Sequence, residues 1–110
     1  MIVAGLGFRK GTAPAAFAQA LLAAGRVDAL ATAREKAHEL AAACPGFRVI
    51  GVDVAGVATP TRSDLVLARK GTGSVAEAAA LVAAGKGARL VLPRQVIGGV
   101  ALAVAEGEDE

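Results

Sequence analysis

The tetrapeptide Arg-Lys-Gly-Thr occurs twice, at residues 9–12 and again sixty residues later at 69–72. Each copy leads into an alanine-rich, helix-forming run that stops at a glycine, Gly25 in the first case and Gly85 in the second. The second copy continues Gly73-Ser74-Val75-Ala76-Glu77, where Ser74 and Glu77 have the spacing of a capping box. In that motif the hydroxyl takes one orphan N–H of the first turn and the carboxylate takes another. The N–H groups left over, the helix dipole and the Arg69-Lys70 pair favour an anion in front of the turn. Aligned over 9–25 and 69–85, the copies share eleven positions, five of them alanine. Alanine is about a quarter of the chain, so the match is either chance in a biased composition or one strand-turn-helix design used twice. Both alternatives put a basic, glycine-containing turn at a helix N-terminus.

A chain of 110 residues that is 55% apolar fits one domain, expected over residues 1–105, able to bury a core without staples. Every long apolar stretch is broken by Gly, Lys or Asp before the roughly 18 residues of a membrane span. The apolar start at 1–6 is too short for a signal peptide and has no basic lead. The single cysteine, Cys44, forms no internal disulfide, in keeping with a reducing compartment. A soluble cytoplasmic protein is expected.

Net charge is +2, but residues 106–110 hold four of the ten carboxylates and read as a solvated, disordered acidic tail. The body then carries twelve basic against six acidic residues, a net +6 that favours anionic partners. Nucleic acid is not expected, because three Phe with no Tyr or Trp, and no dense Lys/Arg helix, offer bases nothing to stack on. A small polyanion suits the chain better.

Along the chain, residues 1–6 read as a buried strand, followed by a compact turn with Gly7 and Gly11. Thr12 is placed to cap a helix with Pro14 in its first turn and Phe17, Leu21 and Leu22 at helical spacing. The pattern Gly5-x-Gly7-x-x-x-Gly11 misses the final spacing of a dinucleotide fingerprint. Residues 27–31 suggest a second strand. Thr32 and Glu35 repeat the capping-box spacing and open a helix to about Cys44, with Cys44 on its apolar stripe as a core residue. His38 has no ligating neighbours at metal spacing, so no metal and no cofactor are expected. Residues 47–52 read as a third strand, 53–63 as a long loop, and 64–68 as a fourth strand leading into the second turn. After the helix that ends at Gly85, 88–92 and 100–105 read as two strands whose short connection makes them antiparallel.

Strands alternating with helices imply an α/β domain: a three-layer α/β/α arrangement with a mostly parallel, mixed sheet and a C-terminal antiparallel strand pair. Ligands of such sheets bind beyond the carboxyl ends of the strands, where both turns would lie.

Three segments resemble a known family. Gly5-Leu6-Gly7-Phe8-Arg9-Lys10-Gly11-Thr12, Lys36-Ala37-His38-Glu39 and Ser74-Val75-Ala76-Glu77-Ala78-Ala79-Ala80-Leu81 are similar to signatures of the cobalamin-biosynthesis CobE proteins and of the C-terminal domain of CbiG, the cobalt-precorrin-5A hydrolase. The family's opening segment usually has cysteine where this chain has Phe8, and arginine where it has Lys10, which keeps the charge without the bidentate fork. The resemblance implies a part in the corrin-ring stage of vitamin B12 synthesis, binding or processing a polycarboxylate corrinoid or precorrin intermediate around lactone opening and ring contraction. The residues expected to grip its carboxylates are Gly7, Arg9, Lys10, Gly11 and Thr12 from one turn, Lys70, Gly71, Thr72, Gly73 and Ser74 from the other, and Lys36 nearby.

Whether the chain turns over its ligand is left open. Lactone opening needs a general base and a donor for the developing oxyanion. Glu77 and Glu39 are the candidate bases, with Arg9 or the turn N–H groups as donors, although capping its own helix would equally account for Glu77. With one histidine, acyl-enzyme chemistry is not expected. The alternatives are a non-catalytic accessory protein that passes intermediates between the pathway's methyltransferases, and a generic phosphate or nucleotide module. A homodimer is compatible with all of them.

Overall fold

In the computed structural model, which describes residues 1–108, side chains along the central strand alternate between two apolar faces. The strand is β1, Ile2–Gly7. Val3 joins a core of Ala31, Ala33, Val52 and Ala105 with the alanines of a helix at 75–84. Ala4 and Leu6 point the other way, into a core of Phe17, Leu30, Leu40, Val100, Leu102 and Val104. Burying a side chain such as Phe17 or Leu102 contributes roughly 1.5–3 kcal/mol.

Around β1 lie β2 (Ala29–Ala33), β3 (Val49–Val52), β4 (Arg89–Ile97) and β5 (Val100–Glu106), in the order β3-β2-β1-β5-β4. The first three run parallel, and β5 is antiparallel to both β1 and β4. Helices α1 (Pro14–Ala24) and α2 (Ala37–Ala43) cover one face. On the other face lies α4 (Val75–Ala84), which sits against β1 so closely that a Cβ on Gly5 would lie 1.9 Å from the Ala76 carbonyl oxygen. The three-layer α/β/α sandwich with a mixed sheet and a C-terminal antiparallel pair is therefore the fold. Pro93, which cannot donate to a ladder, lies on the edge strand β4, where the pairing is irregular between Leu90 and Gln95.

Several local expectations are corrected. Residues 64–68 are not a strand but most of a helix, α3 (Asp64–Lys70): the Ser63 side chain accepts from Val66 N–H, and Gly71 ends the helix in the left-handed region at φ 74°. Thr32 opens no helix. It is buried in β2 and its hydroxyl donates to the Leu6 carbonyl at 2.8 Å, while a 3-10 turn, Arg34–Lys36, precedes α2. Thr12 is no cap either: Ala13 occupies that position and the Thr12 hydroxyl donates to Arg9 O. The connection after residue 92 is mostly strand, leaving Gly98 and Gly99 as the turn.

Residues 106–108, expected in the acidic tail, are held by the body of the fold. Glu106 closes β5 opposite Ile2, Gly107 N–H donates to Met1 O, and Glu108 N–H donates to Lys86 O, each at 3.0 Å. Asp109 and Glu110 lie outside the described residues. Among the described residues no helix is long and apolar enough to cross a membrane.

Candidate functional site

The crossover from β1 to β2 runs over the face covered by α1, and the one from β3 to β4 over the face covered by α4. The carboxyl end of β1 is thus the topological switch point, the place where open α/β sheets take their ligands. Both predicted turns converge here. Gly7 ends β1, and a Cβ on it would lie 3.7 Å from Val75 Cβ and 3.8 Å from Ala76 N at the start of α4.

The first turn is open. Arg9, Lys10 and Gly11 are exposed, and neither cation has a carboxylate partner among the described residues. Gly11 N–H donates to Glu39 Oε2 at 3.0 Å, and Thr12 N–H and Oγ1 both donate to Arg9 O, so the backbone of the turn is fixed while its charged side chains project into solvent. Lys36 Nζ lies 3.9 Å from Glu39 Oε1 and 5.2 Å from the centre of the Phe8 ring, whose edge meets Phe17. Phe8 therefore props Lys36 through a cation–π contact. Lys36 and Glu39 lie beside the first turn.

The second turn is closed. Thr72 and Ser74 are buried, with the Thr72 hydroxyl donating to Val57 O at 2.6 Å and Ser74 Oγ accepting from Glu77 N–H. Gly73 is pressed under the loop between β3 and α3: a Cβ there would lie 2.6 Å from Thr61 O and 2.9 Å from Thr59 Oγ1. Ser63 N–H donates to Gly73 O and Gly56 N–H to Gly71 O, tying both ends of the segment 56–63 to this turn. Around Thr72 and Ser74 the predicted second mouth is thus covered by the chain's own loop, while Gly71 stays exposed. Gly71, Thr72, Gly73 and Ser74 hold that loop.

Glu77 forms only half of the capping box. Its N–H is capped by Ser74, but its carboxylate is fully buried and accepts from Thr61 N–H at 2.8 Å, Thr61 Oγ1 at 3.0 Å and Arg94 N–H at 3.0 Å. One side chain thereby joins α4, the loop and the irregular part of β4. A buried carboxylate with its oxygens used in this way is a strut. It does not face the open turn, as a general base must.

Beyond β3 the rim is again charged. Arg34, Glu35, Val52, Asp53, Val54, Ala55, Arg69 and Lys70 line a cleft of about 360 Å³, crossed by the Lys70–Glu35 ion pair at 2.7 Å. That hydrogen bond from Lys70 holds the Glu35 carboxyl below the usual carboxylate range. Lys70 thus belongs to this cleft and not to the turn at the start of α4. Residues that sequence reasoning left out of the site are Arg34 and Asp53 here, and Arg94 beside Glu77. Only the basic pair closing the helix before Gly71 hinted at such a cluster.

Cys44 is buried in the core, and burial pushes its thiol up. Among the described residues no three or more His, Cys, Asp or Glu are placed to hold a metal ion.

The family model for the cobalamin synthesis G C-terminus matches residues 2–105. Among solved structures, the chain is similar to cobalamin biosynthesis protein chiG from Agrobacterium tumefaciens, with 39% identity and a TM-score of 0.73 over 99% of this chain and 100% of that one. It is also similar to CobE, a protein from the cobalamin (vitamin B12) biosynthetic pathway, with 27% identity and a TM-score of 0.74 over 100% of this chain and 92% of that one. No curated protein matches.

Proposed function

The chain belongs to the cobalamin synthesis G C-terminus family and takes part in cobalamin biosynthesis, and from that premise we propose that it binds a polycarboxylate corrin-ring intermediate, around lactone opening and ring contraction, at the carboxyl end of its sheet. The observation that carries this reading is the pair Arg9 and Lys10, exposed on a backbone-fixed turn at the switch point and free of carboxylate partners among the described residues. Side-chain carboxylates of the ligand supply the missing partners. Each charge-assisted hydrogen bond in a partly desolvated site adds roughly 1–3 kcal/mol, and the fixed backbone reduces the ordering cost.

Binding is favoured over turnover by the state of the two acids. Glu77 is sealed in the interior, and Glu39 already accepts from Gly11 N–H and lies against Lys36. Glu77 has no oxygen in the open to activate water, and the oxygens of the one-third-exposed Glu39 are turned to Gly11 N–H and to Lys36.

The test is a spectral titration of the protein with corrin-ring intermediates. A shift in ligand absorption is expected, weakened about tenfold by an Arg9→Ala, Lys10→Ala double variant. The absence of any shift with the wild-type protein would sink the proposal, and hydrolysis of a lactone intermediate above background would replace binding with catalysis.

A further inference from the structure

The cleft beyond β3 has a chemistry that the first turn does not account for. Its floor is apolar, formed by Val52 and Val54, both buried. Its rim carries three cations, of which Lys70 is already neutralised by Glu35 at 2.7 Å. Arg34 and Arg69 have no ion-pair partner among the described residues. Asp53 is the one opposing charge besides Glu35, and its Oδ1 accepts from Ala55 N–H at 3.3 Å.

The two arginines are placed from opposite sides by different devices. Gly51 in β3 lets the 3-10 turn come close, since a Cβ at that position would lie 3.2 Å from Arg34 Cα and 2.9 Å from Ala37 Cβ. Arg69 comes from the last turn of α3, which is fixed by the Gly71 cap and by Gly56 N–H donating to Gly71 O. The Lys70–Glu35 pair braces one side against the other across the opening. Two unpaired guanidinium groups over an apolar floor suit a carboxylate on a short hydrocarbon arm, because the fork matches the carboxylate and the floor takes the methylenes.

We infer that this cleft binds a carboxylate-bearing arm, held by Arg34 and Arg69 over Val52 and Val54, as a second contact for the anionic ligand that docks at the first turn. The identity of the ligand rests on the proposed function, whereas the chemical class of the arm rests on the cleft alone. The cleft lies two strands from β1, roughly 10 Å at the usual strand spacing, and Lys36 follows β2 between the two contacts. At 360 Å³ the cleft takes an arm and not a whole macrocycle.

The full chain, labelled for two-dimensional NMR, is titrated with propane-1,2,3-tricarboxylate, which carries short carboxylate arms and no ring. Shifts are expected at the amides of Val54 and Ala55 and at the side-chain N–H groups of Arg34 and Arg69. Arg34→Ala and Arg69→Ala should each weaken these shifts about fivefold. Asp53→Asn keeps the acceptor for Ala55 N–H but removes a negative charge, so affinity should rise about threefold, a gain that misfolding cannot mimic. Lys86→Ala, beyond the far end of α4, should leave the cleft shifts unchanged.

Shifts confined to residues 9–12, or a cleft response unaffected by Arg34→Ala, Arg69→Ala and Asp53→Asn, would overturn the inference. Corrin titrations separate it from the functional proposal. A spectral shift that depends on Arg9 but not on Arg34 or Arg69 removes the cleft alone. Tricarboxylate binding in the cleft without any corrin shift keeps the cleft as a carboxylate site and removes the corrin reading.

Discussion

Gly11 and Gly71 both take a left-handed φ, 81° and 74°, and the helices beyond them both stop at a glycine that donates its N–H four residues back, Gly25 to Leu21 O and Gly85 to Leu81 O. The repeated segment therefore has the same backbone at its glycines, yet its two copies sit in opposite surroundings. Residues 9–10 follow a strand and lie open, whereas Arg69 and Lys70 end a helix, and in the turn after them Thr72 and Ser74 are buried and Gly73 passes beneath the loop carrying Thr59 and Thr61. A shared tetrapeptide fixes a turn. What covers that turn is decided by residues far away in sequence, and here it leaves one copy open while the other anchors the fold.

Replacing the acid beside each turn tests this contrast most strongly. Glu77→Ala removes three hydrogen bonds from a fully buried position and should cost about 3 kcal/mol in urea unfolding, while Glu39→Ala, at a half-buried site, should cost less than about 1 kcal/mol. Equal losses would break the distinction between closed and open turns. A smaller difference is expected at the hydroxyls. Ser74→Ala loses an N-cap worth about 1 kcal/mol, whereas Thr12→Ala, whose hydroxyl caps no helix, should stay within about 0.5 kcal/mol.

The smallest effect concerns pH. The Lys70 hydrogen bond lowers the pKa of Glu35, so its contribution is present above the unfolded-state pKa and is lost as pH falls through the folded-state one. Because the pair is largely exposed, wild type should exceed Glu35→Gln by only about 0.5 kcal/mol at neutral pH. That gap should close in acid, read as converging denaturation midpoints.

The layers of the fold and the antiparallel C-terminal pair were legible in sequence because each rests on local chemistry, apolar runs and glycines at stops, whereas nothing in the two matched turns told the open one from the covered one. The helix over Asp64–Lys70 was not legible, since Leu65-Val66-Leu67 is short and apolar enough to suit a strand. Ser63 before it and Gly71 after it were the signals that should have outweighed that run. The plugging of the second turn was illegible for another reason. It depends on Thr61 meeting Glu77 and on Gly73 passing under Thr59, contacts that no periodicity encodes. Arg34 and Arg69 stand 35 residues apart in the chain and converge only when the sheet and α3 are assembled.

The contact between Gly5 and Ala76 gives the domain a mechanical asymmetry. With no side chain between strand and helix on that line, backbone rests against backbone, and there is no rotamer whose change would let α4 roll or slide. The helix start beside Gly7 is therefore a fixed jaw. In the proposed complex, adaptation to a bulky guest would fall to the opposite jaw, the exposed side chains of Arg9 and Lys10, which can swing without disturbing a core contact.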